Sequence, residues 1–324
     1  MGKILVTGAG GFIGSHLAEL LVAKGYNVRA FLRYNSKNRW GFLERSDHLK
    51  EIEIIMGDVR DYDSVFSVMQ GCEAVFHLAA LIGIPYSYVS PLAYIRTNVE
   101  GTYNILQAAK ELELDNVLIT STSETYGSAQ YVPIDEKHPT VGQSPYAATK
   151  IAADQLALSY YRSFGLPVKV VRPFNTFGPR QSARAIIPTV IAQILSGRSE
   201  IMLGNLNPTR DLTYVSDTVR GFVAIARSEE LIGESVNIGA GKEISIKNLA
   251  EFIAHLMGKQ VRFIEDSERV RPKNSEVERL VCDNSKIAEN TGWEPRIDLH
   301  TGLRKTIEWI ERQSLDYKDS IYNI

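Results

Sequence analysis

The chain has 324 residues and a mass of 36.2 kDa, enough for one large α/β domain or a nucleotide-binding domain with a smaller partner. Its 36 Lys plus Arg and 38 Asp plus Glu give a formal charge of −2. That balance argues against nucleic acid as the main partner, because phosphate backbones demand a basic excess or stripe, yet it leaves room for a small phosphorylated ligand held by a few arginines.

In chain order, short apolar runs at 3–7, 27–33, 52–58, 74–80, 116–123 and 167–174 read as strands. They are apolar almost throughout, as strands covered on both faces should be. Helical patterns at 12–24, 62–69, 92–113 and 145–163 lie between them. Strand–helix alternation of this kind predicts an α/β fold built on a doubly wound parallel sheet of Rossmann type. After Pro173 the pattern loosens. A loop is expected at 175–183, helices at 186–196, 246–257 and 303–313, and short strands at 200–203, 236–238 and 261–264. The polar stretch 266–279 reads as a loop or flap. We therefore expect a dinucleotide-binding domain over 1–174 and a smaller α/β substrate lobe over 175–324, with the chain free to cross back between them. The two cysteines, Cys72 and Cys282, suggest no disulfide framework and point to a cytoplasmic setting. No targeting signal is expected. The longest nearly apolar stretch, 74–85, falls short of the about 20 residues that a membrane span requires. The six histidines have no metal-ligand spacing, and His77, in an apolar strand, reads as a satisfied core residue.

Gly8-Ala9-Gly10-Gly11-Phe12-Ile13-Gly14 follows the first strand and opens the first helix. Glycines there allow a tight turn and let a pyrophosphate approach the backbone, and the helix N-terminus supplies free N–H groups and a positive dipole end. A carboxylate ending the second strand would bond the ribose hydroxyls of NAD. This chain reads Leu32-Arg33-Tyr34-Asn35 instead; Arg33 suits a 2′-phosphate, and Arg33 and Asn35 are both expected at the cofactor. NADP is therefore expected in preference to NAD. Asp58, with Val59 beside it, is placed to meet the adenine.

Tyr146 and Lys150 stand four apart at a helix start and so share a face. A cation beside a phenol lowers its pKa and lets it act as a base. The polar segment Thr120-Ser121-Thr122-Ser123-Glu124 ends a strand, at the carboxyl edge where ligands bind in open α/β sheets.

Together the glycine loop, Asp58-Val59, His77-Leu78-Ala79-Ala80, Asn98, Ser121-Thr122-Ser123-Glu124, Tyr146 with Lys150, and Arg172-Pro173-Phe174-Asn175 resemble the extended short-chain dehydrogenase/reductases. The nucleotide-sugar 4,6-dehydratase branch fits best. Within it, Tyr34-Asn35-Ser36, Ile84-Pro85-Tyr86-Ser87-Tyr88, Ser182 to Pro188 and Arg210-Asp211-Leu212 are similar to the N-acetylglucosamine 4,6-dehydratases of legionaminic acid synthesis. The resemblance implies that Leu78, Ala79, Ala80, Asn98 and Pro173 contribute to the cofactor site. It implies that Thr122 and Tyr146 contact the sugar 4-hydroxyl, that Tyr146 removes its proton, and that Lys150 holds the nicotinamide ribose. The C4 hydride passes to the nicotinamide, Glu124 takes the C5 proton, the 6-hydroxyl leaves as water, and the hydride returns to C6. Many such dehydratases carry Asp before this Glu; Ser123 stands here, so Ser123 or Glu124 must protonate the leaving hydroxyl.

The same resemblance assigns the substrate to Pro85, Asn175, Arg184, Arg210 and Arg271, with arginines of the second lobe gripping the diphosphate in the manner of a bidentate fork. Arg180 flanks the same loop as Arg184 and joins that set. A homodimer on the helices near 92–113 and 145–163 is implied as well. Rival readings on this scaffold are a 4-epimerase, a UDP-glucuronate-type decarboxylase and a 5,6-ene-forming enzyme. A non-catalytic NADP-sensing protein is the reading from a different class, and it would be expected to have lost Tyr146, Lys150 or Glu124.

Overall fold

The computed structural model describes residues 2–313. The chain runs β1 (Lys3–Thr7), α1 (Phe12–Ala23), β2 (Asn27–Arg33), β3 (Ile52–Gly57), α2 (Tyr62–Met69), β4 (Cys72–His77), α3 (Ile84–Val89), α4 (Pro91–Tyr94), α5 (Gly101–Glu111), β5 (Asn116–Thr120), α6 (Pro145–Phe164) and β6 (Val168–Pro173). It continues through β7 (Asn175–Phe177), α7 (Ile186–Leu195), β8 (Glu200–Leu203), β9 (Thr209–Tyr214), α8 (Val215–Arg227), β10 (Ser235–Ile238), β11 (Glu243–Ser245), α9 (Ile246–Leu256), β12 (Arg262–Glu265), α10 (Ser285–Thr291) and α11 (Leu299–Arg312).

Seven strands form one parallel sheet in the order β10-β6-β5-β4-β1-β2-β3. The strand order reverses between β1 and β4, which opens a crevice at the carboxyl edge there. Apolar side chains cover both faces. Leu17, Leu21, Val219, Phe222 and Val223, from α1 and α8, pack one face. Val65, Val68, Ile105, Leu106, Ala157 and Leu158, from α2, α5 and α6, pack the other. The second lobe is built on a small sheet β11-β9-β7 and a parallel pair β12-β8. Ile187, Val190, Leu249, Ile253, Leu303 and Ile307 of α7, α9 and α11 close its core.

The expected elements stand, with differences that have physical causes. Strand 74–80 stops at His77, where Leu78 N–H divides between the Thr7 carbonyl and Thr7 Oγ1 and Ala79 N–H turns to Thr7 Oγ1 at 3.1 Å. Strand 116–123 stops at Thr120 and turns into a single 3₁₀ turn, Ser123–Tyr126, capped by Thr122. Helix 92–113 is interrupted by a π turn at Ile95–Glu100, which carries Asn98 inward. Segment 236–238, expected in the second lobe, instead runs beside β6 in the main sheet, where Val236 and Ile238 share a core with Phe222 and Val223. Helix α8 brings the chain back there. A Cβ at Gly221 would meet Ile238 Cδ1 at 2.7 Å, so the helix lies close on β10. The 175–183 loop opens with the short strand β7, paired with β9. Among the described residues no helix is long and apolar enough to cross a membrane.

Candidate active site

A continuous cleft of about 990 Å³ runs along the carboxyl edge of the main sheet, from the glycine loop to the second lobe. Its volume is at the upper end for a single small-molecule site. At one end Gly8 adopts a left-handed φ of +69°, and a Cβ there would stand 2.9 Å from the Ala79 nitrogen. A Cβ at Gly14 would stand 2.3 Å from the Gly8 oxygen. The loop and helix α1 are therefore packed backbone to backbone. Gly11 caps α1 without any side-chain hydrogen bond, so its first-turn N–H groups remain for a ligand. Gly8, Gly11, Phe12, Ile13 and Gly14 all line the cleft, and this cradle fits the pyrophosphate of a dinucleotide.

The far wall of this end carries Arg33, Asp58, Val59, Leu78, Ala79 and Ala80. Arg60 donates from Nε to Asp58 Oδ1 at 2.9 Å and holds that carboxyl below the usual range. Arg33, Arg39 and Arg60 thus gather at one mouth of the cleft with no carboxylate at the end of β2. Asn35 does not join them. Its amide closes its own loop, donating to Arg39 O at 2.8 Å and accepting from Arg39 N at 3.0 Å. Asn98 lies beneath the wall. Its Oδ1 accepts from Leu81 N at 2.8 Å, and its Nδ2 donates to Leu81 O at 3.0 Å and Thr149 Oγ1 at 3.1 Å. It shapes the cleft through the Leu81 backbone. His77 is wholly buried, bonded to Thr7 and Thr102, and burial lowers its pKa to about 3.

At the centre, Ser144 caps α6 by accepting from Ala147 N, and Pro145 takes the first turn, where its missing donor costs nothing. Tyr146 and Lys150 follow one turn apart, 7% and 4% exposed. The Tyr146 hydroxyl is hydrogen-bonded to Thr122. The expectation that Lys150 lowers the phenol pKa needs correction. Burial pushes Tyr146 far above its ordinary value, against the opposing Thr122 bond. The Lys150 ammonium donates to the carbonyl of Thr120, and burial lowers its own pKa to about 8. Below this pair, Asp154 Oδ2 accepts from Ser121 Oγ at 2.8 Å and Arg172 Nε at 3.0 Å, while Arg172 Nη1 donates to Tyr126 at 3.0 Å. This buried network fixes the ends of β5 and β6. Ser123 is 2% exposed in the capped turn, and the Glu124 carboxylate next to it stands on the cleft wall. Burial lowers the Arg210 pKa and the Glu124 charge opposes that shift, while the same charge adds to the rise that burial gives Tyr146. Pro85 sits at the start of α3 on the opposite wall. Tyr94 packs edge-on against Tyr146, with ring centroids 6.3 Å apart.

At the far end Pro173 and Asn175 lead into the second lobe, and the buried Asn175 Oδ1 has no hydrogen-bond partner. Arg210 projects from β9, which is pinned by its neighbour Asp211: Oδ1 accepts from Ala240 N, and Oδ2 from Gly241 N and Cys282 N. Burial raises the Asp211 pKa to about 6. Arg210 and Arg271 converge on one carboxylate, with Nη2 and Nη1 at 3.4 and 3.5 Å from Glu276 Oε1. Arg184 reaches over Gly83 at the wall of the cleft. Arg180 does not face the cleft. It grips Glu19 of α1 with two bonds, at 2.9 and 3.0 Å, which removes it from the expected set. Sequence reasoning did not reach Arg39, Arg60, Tyr94 or Glu276. Only the adjacency of Arg60 to Asp58 left a signal; the others join the cleft through loop geometry.

Residues 5–306 match the family model described as GDP-mannose 4,6 dehydratase. The chain belongs to that extended short-chain dehydrogenase/reductase family of nucleotide-sugar enzymes. It is 32% identical to a putative UDP-glucose 4-epimerase of Methanocaldococcus jannaschii, covering 96% of this chain and 99% of the relative. It is 34% identical to the UDP-N-acetyl-alpha-D-glucosaminuronate decarboxylase of Bacillus cytotoxicus, covering 95% and 97%. Among solved structures it resembles DesIV, the dTDP-glucose 4,6-dehydratase of Streptomyces venezuelae with NAD and TYD bound, with a TM-score of 0.88, 28% identity, and 98% and 99% coverage. Members of this family divide among dehydratase, epimerase and decarboxylase chemistry, and a nicotinamide dinucleotide is the cofactor that this cradle fits.

Proposed function

We propose that this enzyme is an NADP-dependent nucleotide-sugar 4,6-dehydratase acting on a GDP- or UDP-linked N-acetylglucosamine, of the kind used in legionaminic acid synthesis. One observation carries this reading. The Glu124 carboxylate stands on the cleft wall with the Tyr146 phenol and Arg210, near enough for its charge to act on both. A 4-epimerase has no need of a carboxylate at that point.

Bound NADP supplies the acceptor for the C4 hydride and its donor to C6. The protein's part follows from its groups. Thr122 and Tyr146 orient the 4-hydroxyl, and Tyr146 takes its proton. Burial holds the proton on the phenol, the Thr122 bond opposes it, and Lys150, one turn on, would hold the ribose of a bound cofactor. Once C4 is a ketone its neighbouring C–H is acidic, and Glu124 removes the C5 proton. Glu124, with Ser123 orienting or relaying, then hands a proton to the departing 6-hydroxyl. Arg210, Arg271, Arg184, Asn175 and Pro85 hold the nucleotide sugar while this proceeds. NADP rather than NAD is supported by Arg33, Arg39 and Arg60 around a β2 end without carboxylate, although the DesIV structure contains NAD. The domain division at 174/175, the cytoplasmic setting and a homodimer belong to the same reading. For the dimer, Leu92, Ile95, Tyr103 and Phe164 expose apolar surface on the helices concerned.

A second reading, a decarboxylase, draws on the Thr122-Ser123-Glu124 order and the Bacillus cytotoxicus relative. Incubation with GDP- and UDP-N-acetylglucosamine and with UDP-glucuronate, followed by product masses, separates the readings. Loss of water from an N-acetylglucosamine substrate supports the dehydratase; loss of carbon dioxide or an unchanged mass overturns it.

A further inference from the structure

The loop that carries Arg271 and Glu276 has little regular structure of its own, only two 3₁₀ turns, Ser267–Arg269 and Lys273–Ser275. Yet both clamp arginines depend on where it sits. One amide side chain bonds it at two backbone positions. Gln143 Nε2 donates to Asn274 O and Glu276 O, each at 3.1 Å, and Gln143 Oε1 accepts from Ser128 N at 2.5 Å. Three of the four hydrogen-bonding positions of an amide are therefore filled, all by backbone.

The partners matter more than the count. Gln143 itself immediately precedes Ser144, the cap of the helix that bears Tyr146 and Lys150. Ser128 follows the turn that bears Thr122 and Glu124. Asn274 and Glu276 lie in the clamp loop, three and five residues after Arg271. One side chain thus joins the acid–base turn, the head of the catalytic helix and the diphosphate arginines. The backbone makes room for it: Gly127 takes a φ of +65°, and a Cβ there would stand 2.6 Å from Gln143 Oε1. Ser128 Oγ adds a second bridge to the same loop, accepting from Glu278 N at 3.2 Å. Tyr88 of α3 reaches Ser275 at 2.6 Å from the other side.

We infer that Gln143 is a positioning residue that sets the diphosphate clamp in register with the catalytic centre, acting through Arg271. This rests on the reading of Arg271 as a diphosphate ligand. The test is a double-mutant cycle on the full chain loaded with NADP, with affinities for UDP and GDP measured by calorimetry and KM and kcat measured with the nucleotide sugar turned over. Gln143→Leu should weaken the bound nucleoside diphosphate and raise KM about tenfold, with kcat within about twofold and the melting temperature nearly unchanged. In an Arg271→Ala background the same change should cost less than about twofold more, because the residue through which it acts is gone. Equal losses in both backgrounds, or no loss in Gln143→Leu while Arg271→Ala loses affinity, overturn the inference and leave the clamp reading intact. No loss in Arg271→Ala defeats the clamp reading and this inference with it. Should Gln143→Leu fail to fold, Gln143→Glu takes its place in the cycle. It keeps the length and the acceptor while removing both donors to the loop.

Discussion

The two ends of the cleft are built by opposite means. The cofactor end is made of backbone: glycines at 8 and 14 that tolerate no Cβ, and a helix start with no side-chain cap. The nucleotide-sugar end is made of side chains brought from separate segments, Arg210 and Arg271 converging on Glu276 across loops. Backbone sites demand a fixed local sequence, whereas side-chain sites demand only that remote segments arrive together. The first kind should fail abruptly when disturbed, the second by degrees.

The sharpest contrast comes from Gly14→Val. Its Cβ would press within 2.3 Å of the Gly8 oxygen, which only movement of the backbone relieves. A cost above about 4 kcal/mol, or about 10³-fold in NADP affinity, is expected, because the loop cannot keep both its shape and the side chain. Fluorescence titration with the cofactor measures it. Retention of near-normal affinity would show that the cradle is not set by close packing.

Glu124→Gln comes next. It keeps the shape at the centre of the cleft and removes the base. A well-placed general base is worth about 10²–10⁴-fold in rate. The variant should still oxidise C4, seen as absorbance of the reduced cofactor, and then stall, with no solvent deuterium entering C5. Release of 4-keto-6-deoxy sugar at the normal rate would reduce Glu124 to a strand-end carboxylate.

This contrast also explains what the sequence made legible. The parallel sheet, the glycine cradle and the Tyr146–Lys150 pair are written in local spacing, so periodicity and the i,i+4 rule reach them. Segment 236–238 was assigned to the wrong sheet because a short apolar run does not say which edge it joins. Arg180 shared a loop with Arg184, yet its left-handed φ of +71° belongs to a backbone that turns its side chain back to Glu19. Glu276 sits in a polar loop where any acid reads as solvated. The Tyr146 pKa was misjudged for another reason: spacing reports neighbours but not burial, and burial dominates there.

At the side-chain end, Arg210→Ala should raise KM for the nucleotide sugar about 10–100-fold, the worth of a lost hydrogen bond to a charged group, and leave NADP affinity unchanged. An equal loss of NADP affinity would mean that the two ends are not separate sites. Acid should trouble the cofactor half. His77 in β4 and His16 in α1 are held neutral, their pKa values lowered by burial to about 3 and about 4. Below the unfolded value of about 6.5 the unfolded chain binds protons that the folded chain does not, so stability falls as pH drops from there toward the folded values. Each histidine costs up to about 2 kcal/mol at pH 5. Thermal melts from pH 7.5 down to 5 should show the decline, and replacing His77 by Asn should flatten it. A melting temperature indifferent to pH in that range counts against the assignment.

The smallest expected effect tests the one place where the cofactor end relies on side chains. Arg33 is exposed at the end of β2, with Arg39 and Arg60 near it and no carboxylate to meet a ribose hydroxyl. Arg60 is already committed to Asp58, and Arg39 donates to Glu44 at 3.0 Å. Arg33 is then the arginine best able to turn to a 2′-phosphate. Solvent screens an exposed pair, so its contribution is modest, and about tenfold in affinity is the expected scale. Arg33→Ala should weaken NADP by about that factor and leave NAD nearly untouched, and the NADP preference of the parent should shrink as salt is raised. Parallel losses for both cofactors would make Arg33 a general prop of the wall. A parent enzyme that already favours NAD would mean that the missing carboxylate, and not the arginine, had been misread, because Asp58 would then have to meet the adenosine ribose from β3 despite its bond to Arg60.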